Sequence, residues 1–278
     1  MIGRMIDIKK ASLYYGAKTG IYKHLYEVFG EFSPAYTLSN EFLDEAMGFL
    51  KPQGQSVLTV AGSGDQAFWY KLYGASHVDT FDISYCAQVV MNLKTCALQN
   101  MNRDEYKKFT KSLRDADTEI CDMPGYEKIS DRLDRETKGF IDGMRGCRWR
   151  LNGGYILNIL SESEYQNLQN TIRAPFNFIW SDVFDLSGRV TEKYGRKYDQ
   201  IYLSNIVQYN CTYEKLIKLI TSLLPVLNDN GMIMLFVTPF LKYDEVSTIW
   251  SVADALKKFV SIRIDKVVQQ QYVLVKKL

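Results

Sequence analysis

Gly62, Ser63, Gly64, Asp65 and Asp82 are the residues of this chain whose types and spacing best suit ligand chemistry. Two glycines flanking one residue allow backbone torsions that other residues resist, and they let a ligand approach the main chain closely. A carboxylate about 20 residues further on, at the carboxyl end of a strand, suits acceptance of both ribose hydroxyls of an adenine nucleoside. Backbone N–H groups at a loop that opens into a helix suit an anionic group. Asp65 suits a ligand ammonium, and equally suits capping of the helix it begins. The combination points to an adenosine-containing cofactor in the crevice above a parallel sheet.

The surrounding elements fit that placement. Ser56 to Ala61 is short, apolar and β-branched, the pattern of a buried parallel strand. Asp65 to Gly74 reads as a helix, His77 to Phe81 as a second strand ending on Asp82, and Tyr85 to Gln99 as a helix packed on the sheet. The rhythm resumes at Phe176. Asn177 to Ser181 is a strand followed by Asp182 and Val183, and Tyr198 to Leu203 is a strand ended by Ser204 and Asn205. Tyr213 to Leu227 is an amphipathic helix, Asn228 to Gly231 a turn, Met232 to Thr238 an apolar strand and Asp244 to Lys257 a helix. The tail VSIRIDKVVQQQYVLVKKL gives two alternating strands, a hairpin-like pair closing one sheet edge.

Two regions stand apart from the α/β rhythm. Residues 1–52 form a helical, aromatic N-terminal segment with a break at Ser33-Pro34 and a second helix from Glu41 to Leu50. Residues 102–174 are charged and rich in helix formers, too long for a structureless loop, and read as a helical insertion over the sheet's carboxyl edge. The rest of 53–278 forms the nucleotide-binding domain.

Composition narrows the function. The 278 residues are 46% hydrophobic and 24% charged, with a formal net charge of +2, so no nucleic-acid partner is expected from electrostatics. No apolar run spans a bilayer, and no export signal is evident. The five cysteines (Cys86, Cys96, Cys121, Cys147, Cys211) lack a CxxC pair and read as free thiols of a cytoplasmic protein. The two histidines, His24 and His77, do not make a histidine-rich metal site, and no metal is expected.

GSGDQA also fits the loose G-x-G-x-x-A pattern of nicotinamide dinucleotide domains. Five parallel strands followed by a terminal antiparallel pair instead resembles the Rossmann-like, seven-stranded sheet of class I S-adenosylmethionine (SAM) dependent methyltransferases. That resemblance implies the strand order and SAM as cofactor. It implies a methionine carboxylate at Gly62, Ser63 and Gly64, its ammonium near Asp65, ribose on Asp82 beside Ile83, and the adenine amino group on Asp182 beside Val183 in FIWSDVF. Ser204 and Asn205 lie where site residues collect.

VLTVAGSGDQAF with FDIS downstream, and YDQIYLSNIVQY later, resemble the SAM-binding region of the betaine-lipid synthase family, which transfers the 3-amino-3-carboxypropyl group of SAM. The usual loop D-x-G-x-G-x-G is absent: Thr59 stands in place of its acid, and Ala61, Ser63 and Asp65 in place of its glycines. LSNIVQY differs from the N/D-P-P-Y/F motif of nucleobase amino methylases. Tyr36 and Tyr209 are candidate substrate contacts, with plain packing as the competing reading. Arg145, Arg148 and Arg150 around Trp149 offer either an anion site or a solvated basic face. No general base stands out. The expectation is a SAM-dependent methyltransferase acting on a small-molecule or lipid-like acceptor, with aminocarboxypropyl transfer or SAM binding without catalysis as alternatives.

Overall fold

The computed structural model describes residues 39, 41–115, 117–118, 120–143, 149–150, 160–206, 212–237, 243–267 and 270–278. They fall into two compact units. One contains Ser39, Ala61–Phe68 and Asp82–Phe176; the other contains Glu41–Val60, Trp69–Phe81 and Asn177–Leu278.

The second unit holds the sheet. Its strands are β1 (Ser56–Val60), β2 (His77–Asp82, whose last residue belongs to the first unit), β5 (Asn177–Trp180), β6 (Tyr198–Tyr202), β7 (Leu227–Val237), β8 (Val260–Val267) and β9 (Gln270–Lys277). Their order is β5-β2-β1-β6-β7-β9-β8. β1 pairs in parallel with β2 and β6, and β6 with β7. β9 runs antiparallel to both β7 and β8. Counted along the chain, the seven strands lie in the order 3-2-1-4-5-7-6, with the antiparallel last strand between the fifth and sixth. This is the Rossmann-like sheet of class I methyltransferases, as expected from the sequence, and the tail closes one edge as a hairpin.

The helices of this unit are α1 (Leu43–Leu50), the end of α2 (Asp65–Leu72), α8 (Leu186–Tyr194), α9 (Tyr213–Leu223) and α10 (Tyr243–Leu256). Leu58, Ile201, Ile233, Leu219, Val252 and Val275 are fully buried in one core. Each such side chain stabilises the fold by about 1.5–3 kcal/mol relative to exposure.

Three boundaries differ from the sequence reading, each for a physical reason. α1 begins at Leu43, because the Glu41 side chain is drawn to Ser204 instead of starting a helix. α9 ends at Leu223, where Pro225 opens a 3-10 turn, Leu224–Val226. Asn228 to Gly231 lies within β7. Tyr198 pairs with Leu227 and Gln200 with Met232, so the turn-forming residues make an irregularity in the strand. Asn230 takes the left-handed φ of 62° there, and Asn228 Nδ2 donates to Asp199 Oδ1 at 2.7 Å.

The first unit is organised on α3 (Tyr85–Asn100), with α4 (Arg103–Asp115), α5 (Tyr126–Ile129), α6 (Arg135–Gly143) and α7 (Glu162–Thr171). Most of the described residues of 102–174 are helical, and β3 (Asp117–Thr118) and β4 (Trp149–Arg150) form a short antiparallel pair. α3 binds the insertion through polar side chains as well as its apolar face. Asn92 Nδ2 donates to Thr137 Oγ1 at 2.9 Å. Tyr165 Oη and Gln169 Nε2 both donate to the Leu98 and Met101 carbonyls, satisfying acceptors at the end of α3 that have no helical partner. A capping box, Ser161 with Glu164, fixes the start of α7. Among the described residues no helix is long and apolar enough to cross a membrane.

Candidate functional site

The loop between β1 and α2 forms because Gly62 and Gly64 take φ values of 48° and 83°, in the left-handed region. Gly64 has a second constraint. A Cβ there would lie 3.1 Å from Met91 Cγ of α3, so this helix packs directly on the loop.

Asp82 clasps the same loop from the end of β2. Its Oδ2 accepts the Gly62 N–H at 3.0 Å, and its Oδ1 accepts the Ser84 N–H at 2.9 Å. Burial pushes its carboxyl up to about 6, partly opposed by the N–H groups of Ser84, Gly62 and Ile83. A carboxylate has about four lone-pair positions. Three internal donors therefore leave Asp82 less capacity than the sequence alone implies for two ribose hydroxyls.

Asp65, at the first position of α2, is already engaged. Its Oδ2 accepts the Ser39 N–H at 2.8 Å and the Ser63 hydroxyl at 3.1 Å. Its Oδ1 meets the Lys94 ammonium in a very short contact. Lys94 also donates to the Ser63 carbonyl at 3.0 Å and lies over the Phe68 ring at 5.8 Å. Tyr106 of α4 faces this group too: burial, then the Asp65 charge, holds its hydroxyl well above the usual tyrosine range. The loop N–H groups are less available than expected. Gly62 donates to Asp82, Gly64 to the Ala61 carbonyl at 2.6 Å, and Asp65 to Ser63 Oγ at 3.3 Å.

The sheet unit carries the other candidates. Asp182 follows β5 in a tight turn, its Oδ1 accepting the Phe184 N–H at 3.0 Å, and it remains partly exposed. Val183 is buried in the hydrophobic core. Ser204 follows β6 with a φ of 53°, an uncommon value for a non-glycine residue. Its hydroxyl donates to the fully buried Glu41 carboxylate, and Asn205 is buried beside it in sequence. Burial and then the Glu41 charge raise the Tyr70 hydroxyl above its ordinary range. The Tyr70 and Tyr202 rings meet edge-on at 6.1 Å.

The sequence reading thus brings Gly62, Ser63, Gly64, Asp65, Asp82 and Ile83 together in one unit. It missed Lys94, Tyr106 and Glu41. Lys94 did leave a signal: it is the one charged residue in the 16 of α3. Tyr36, Tyr209 and residues 145–148 lie outside the described residues. Among the described residues no group of three His, Cys, Asp or Glu could hold a metal ion.

Solved structures similar to this chain include the rRNA methyltransferase aviRa from Streptomyces viridochromogenes, with a TM-score of 0.47 and 12% identity over 87% of this chain and 86% of that one. A Streptococcus mutans chain named as a SAM-dependent methyltransferase gives 0.45 at 12% identity over 86% of this chain. The match spans 50% of that chain's length. Magnesium protoporphyrin IX methyltransferase (ChlM) from Synechocystis PCC 6803, solved with bound SAM, gives 0.40 at 12% identity over 86% of this chain and 79% of that one. No protein-family model matches the sequence, and no curated protein matches it.

Proposed function

We propose that this protein is a SAM-dependent transferase, and that it moves the methyl group to a small-molecule or lipid-like acceptor. The observation that carries the reading is the Asp82 clasp on Gly62: a strand-end carboxylate tied to a glycine loop, within a sheet of the class I order. The residues fit the group. Gly62 and Gly64 hold the loop's left-handed turn, and Asp82 beside it retains acceptor capacity for a ribose hydroxyl.

SAM supplies a carbon already activated by a sulfonium leaving group. The chain's own work is to hold the nucleoside and to align an acceptor, and orientation of this kind can supply on the order of 7–11 kcal/mol. The loop, α3 and the insertion share one compact unit, so the insertion is the element we assign to acceptor selection. Aminocarboxypropyl transfer is the second reading, favoured by Ser63 and Asp65 standing at two of the loop's usual glycine positions.

The test is the spent cofactor. The protein is incubated with SAM and, separately, small-molecule, lipid and RNA fractions, and the products are measured by mass spectrometry. S-adenosylhomocysteine appearing with the small-molecule or lipid fraction supports the proposal. Methylthioadenosine instead establishes aminocarboxypropyl transfer. Product formed with RNA alone overturns the acceptor assignment, and no product above the enzyme-free control overturns the transferase reading.

A further inference from the structure

The loop's two acceptors for a ligand ammonium, the Ser63 carbonyl and the Asp65 carboxylate, both face an ammonium the chain provides itself. Lys94 Nζ donates to Ser63 O at 3.0 Å and makes the very short contact with Asp65 Oδ1. The lysine side chain is 1% exposed and the aspartate 13%, so a ligand meets the acid with its countercharge already behind it. The placement is fixed from several sides. Ser39 N–H and Ser63 Oγ hold the other carboxylate oxygen, Phe68 underlies the ammonium, and Met91, one turn before Lys94 on α3, abuts Gly64.

We propose that Lys94 is the positioning residue that sets which end of the cofactor's amino-acid arm the loop reads. By neutralising Asp65, it removes the negative charge that would draw the arm's ammonium and repel its carboxylate. The loop then favours the carboxylate. The effect acts through Asp65; Lys94 itself stays beneath the loop. Opposite charge at close range in a partly desolvated site is strong enough to decide such a preference. This inference rests on the SAM reading and deepens it.

Three ligands separate the possibilities: S-adenosylhomocysteine, its decarboxylated analogue, which keeps only the amine, and methylthioadenosine, which has neither group. Calorimetry gives their affinities for the wild type, Lys94→Met, Asp65→Asn and the double variant. The wild type is expected to prefer S-adenosylhomocysteine over the analogue. In Lys94→Met the uncovered acid should lower that ratio by roughly tenfold or more, and in Asp65→Asn the uncovered lysine should raise it. The double variant should return it close to the wild-type value. Methylthioadenosine affinity should change little in all three. Structural damage to the loop would instead weaken all ligands together, and it would not move the ratio in opposite directions. If Lys94→Met fails to fold, the direction of change in Asp65→Asn decides. A ratio that stays fixed, or moves the same way in both single variants, overturns the inference. A wild type that binds none of the three ligands overturns the SAM reading as well.

Discussion

The Asp82 carboxylate accepts the Gly62 N–H at 3.0 Å, so the end of the second strand holds the loop that follows the first. One side chain thus has two tasks. It fixes the loop's backbone, and under the proposed function it binds the ribose.

Asp82→Ala should weaken SAM binding by about 1.5–3 kcal/mol, the range for a hydrogen bond to a charged group. The fold should persist. Loss of the Gly62 and Ser84 hydrogen bonds is offset by removal of a buried charge whose desolvation is itself unfavourable. Isothermal calorimetry on the folded variant checks this. An unchanged affinity would mean that the ribose is bound elsewhere.

The same carboxyl makes binding depend on pH. Its folded value is raised to about 6 from 3.8, chiefly by burial. The native state therefore binds more protons than the unfolded chain across that window, and stability falls as pH rises through it. A shift of this size corresponds to about 3 kcal/mol, fully lost above the folded value. Ribose hydroxyls donate to the ionised form, so SAM affinity should rise from pH 5 to neutrality and then level off. Asp82→Asn should flatten that rise. Calorimetry at a series of pH values reads both. A wild-type profile as flat as the variant's would exclude Asp82 as the titrating group.

Asp79 should matter for folding and not for the ligand. It is fully buried near the amino end of β2 and accepts from Tyr198 Oη at 2.6 Å and Asn177 Nδ2 at 2.8 Å. His77 Nε2 lies at 2.8 Å and Arg196 Nη1 at 3.5 Å. Asp79→Ala would leave the buried Tyr198 hydroxyl unpaired. Such a donor costs about 1–3 kcal/mol, and Asn177 and the cationic partners add less because they are exposed or partly exposed. A total near 3 kcal/mol is expected in urea unfolding. Cofactor affinity should hold in the folded fraction, and a larger effect on binding than on stability would reverse this assignment.

The βαβ unit was legible because its signals are local. Short runs of buried residues, paired glycines and a strand-end acid act within about 30 residues of chain. Strand order came from the resemblance and not from any residue pattern, because pairing between distant strands leaves no local mark. Asn228 to Gly231 has the composition of a turn and sits within a strand, since Asn228 bonds Asp199 across the sheet and holds the chain in the ladder. Glu41 looked like a helix start; its role depends on Ser204, 163 residues away. Lys94 was readable only as an unexplained charge on an apolar helix, because its partner lies in the loop 29 residues earlier.

The cofactor class itself can be read from stability. A ligand that binds only the native state stabilises it by RT ln(1 + [L]/Kd), about 2.7 kcal/mol at a hundredfold excess over Kd. SAM and S-adenosylhomocysteine should therefore raise the melting temperature by several degrees, whereas NAD should not. The competing reading is concrete, because GSGDQA fits the looser dinucleotide pattern as well. One structural feature favours SAM. The last strand, β9, runs antiparallel between β7 and β8, where a dinucleotide sheet continues in parallel. Scanning calorimetry with each ligand at matched excess decides between them. Stabilisation by NAD, with none from SAM or S-adenosylhomocysteine, would assign the Asp82 clasp to a dinucleotide and withdraw the transferase reading.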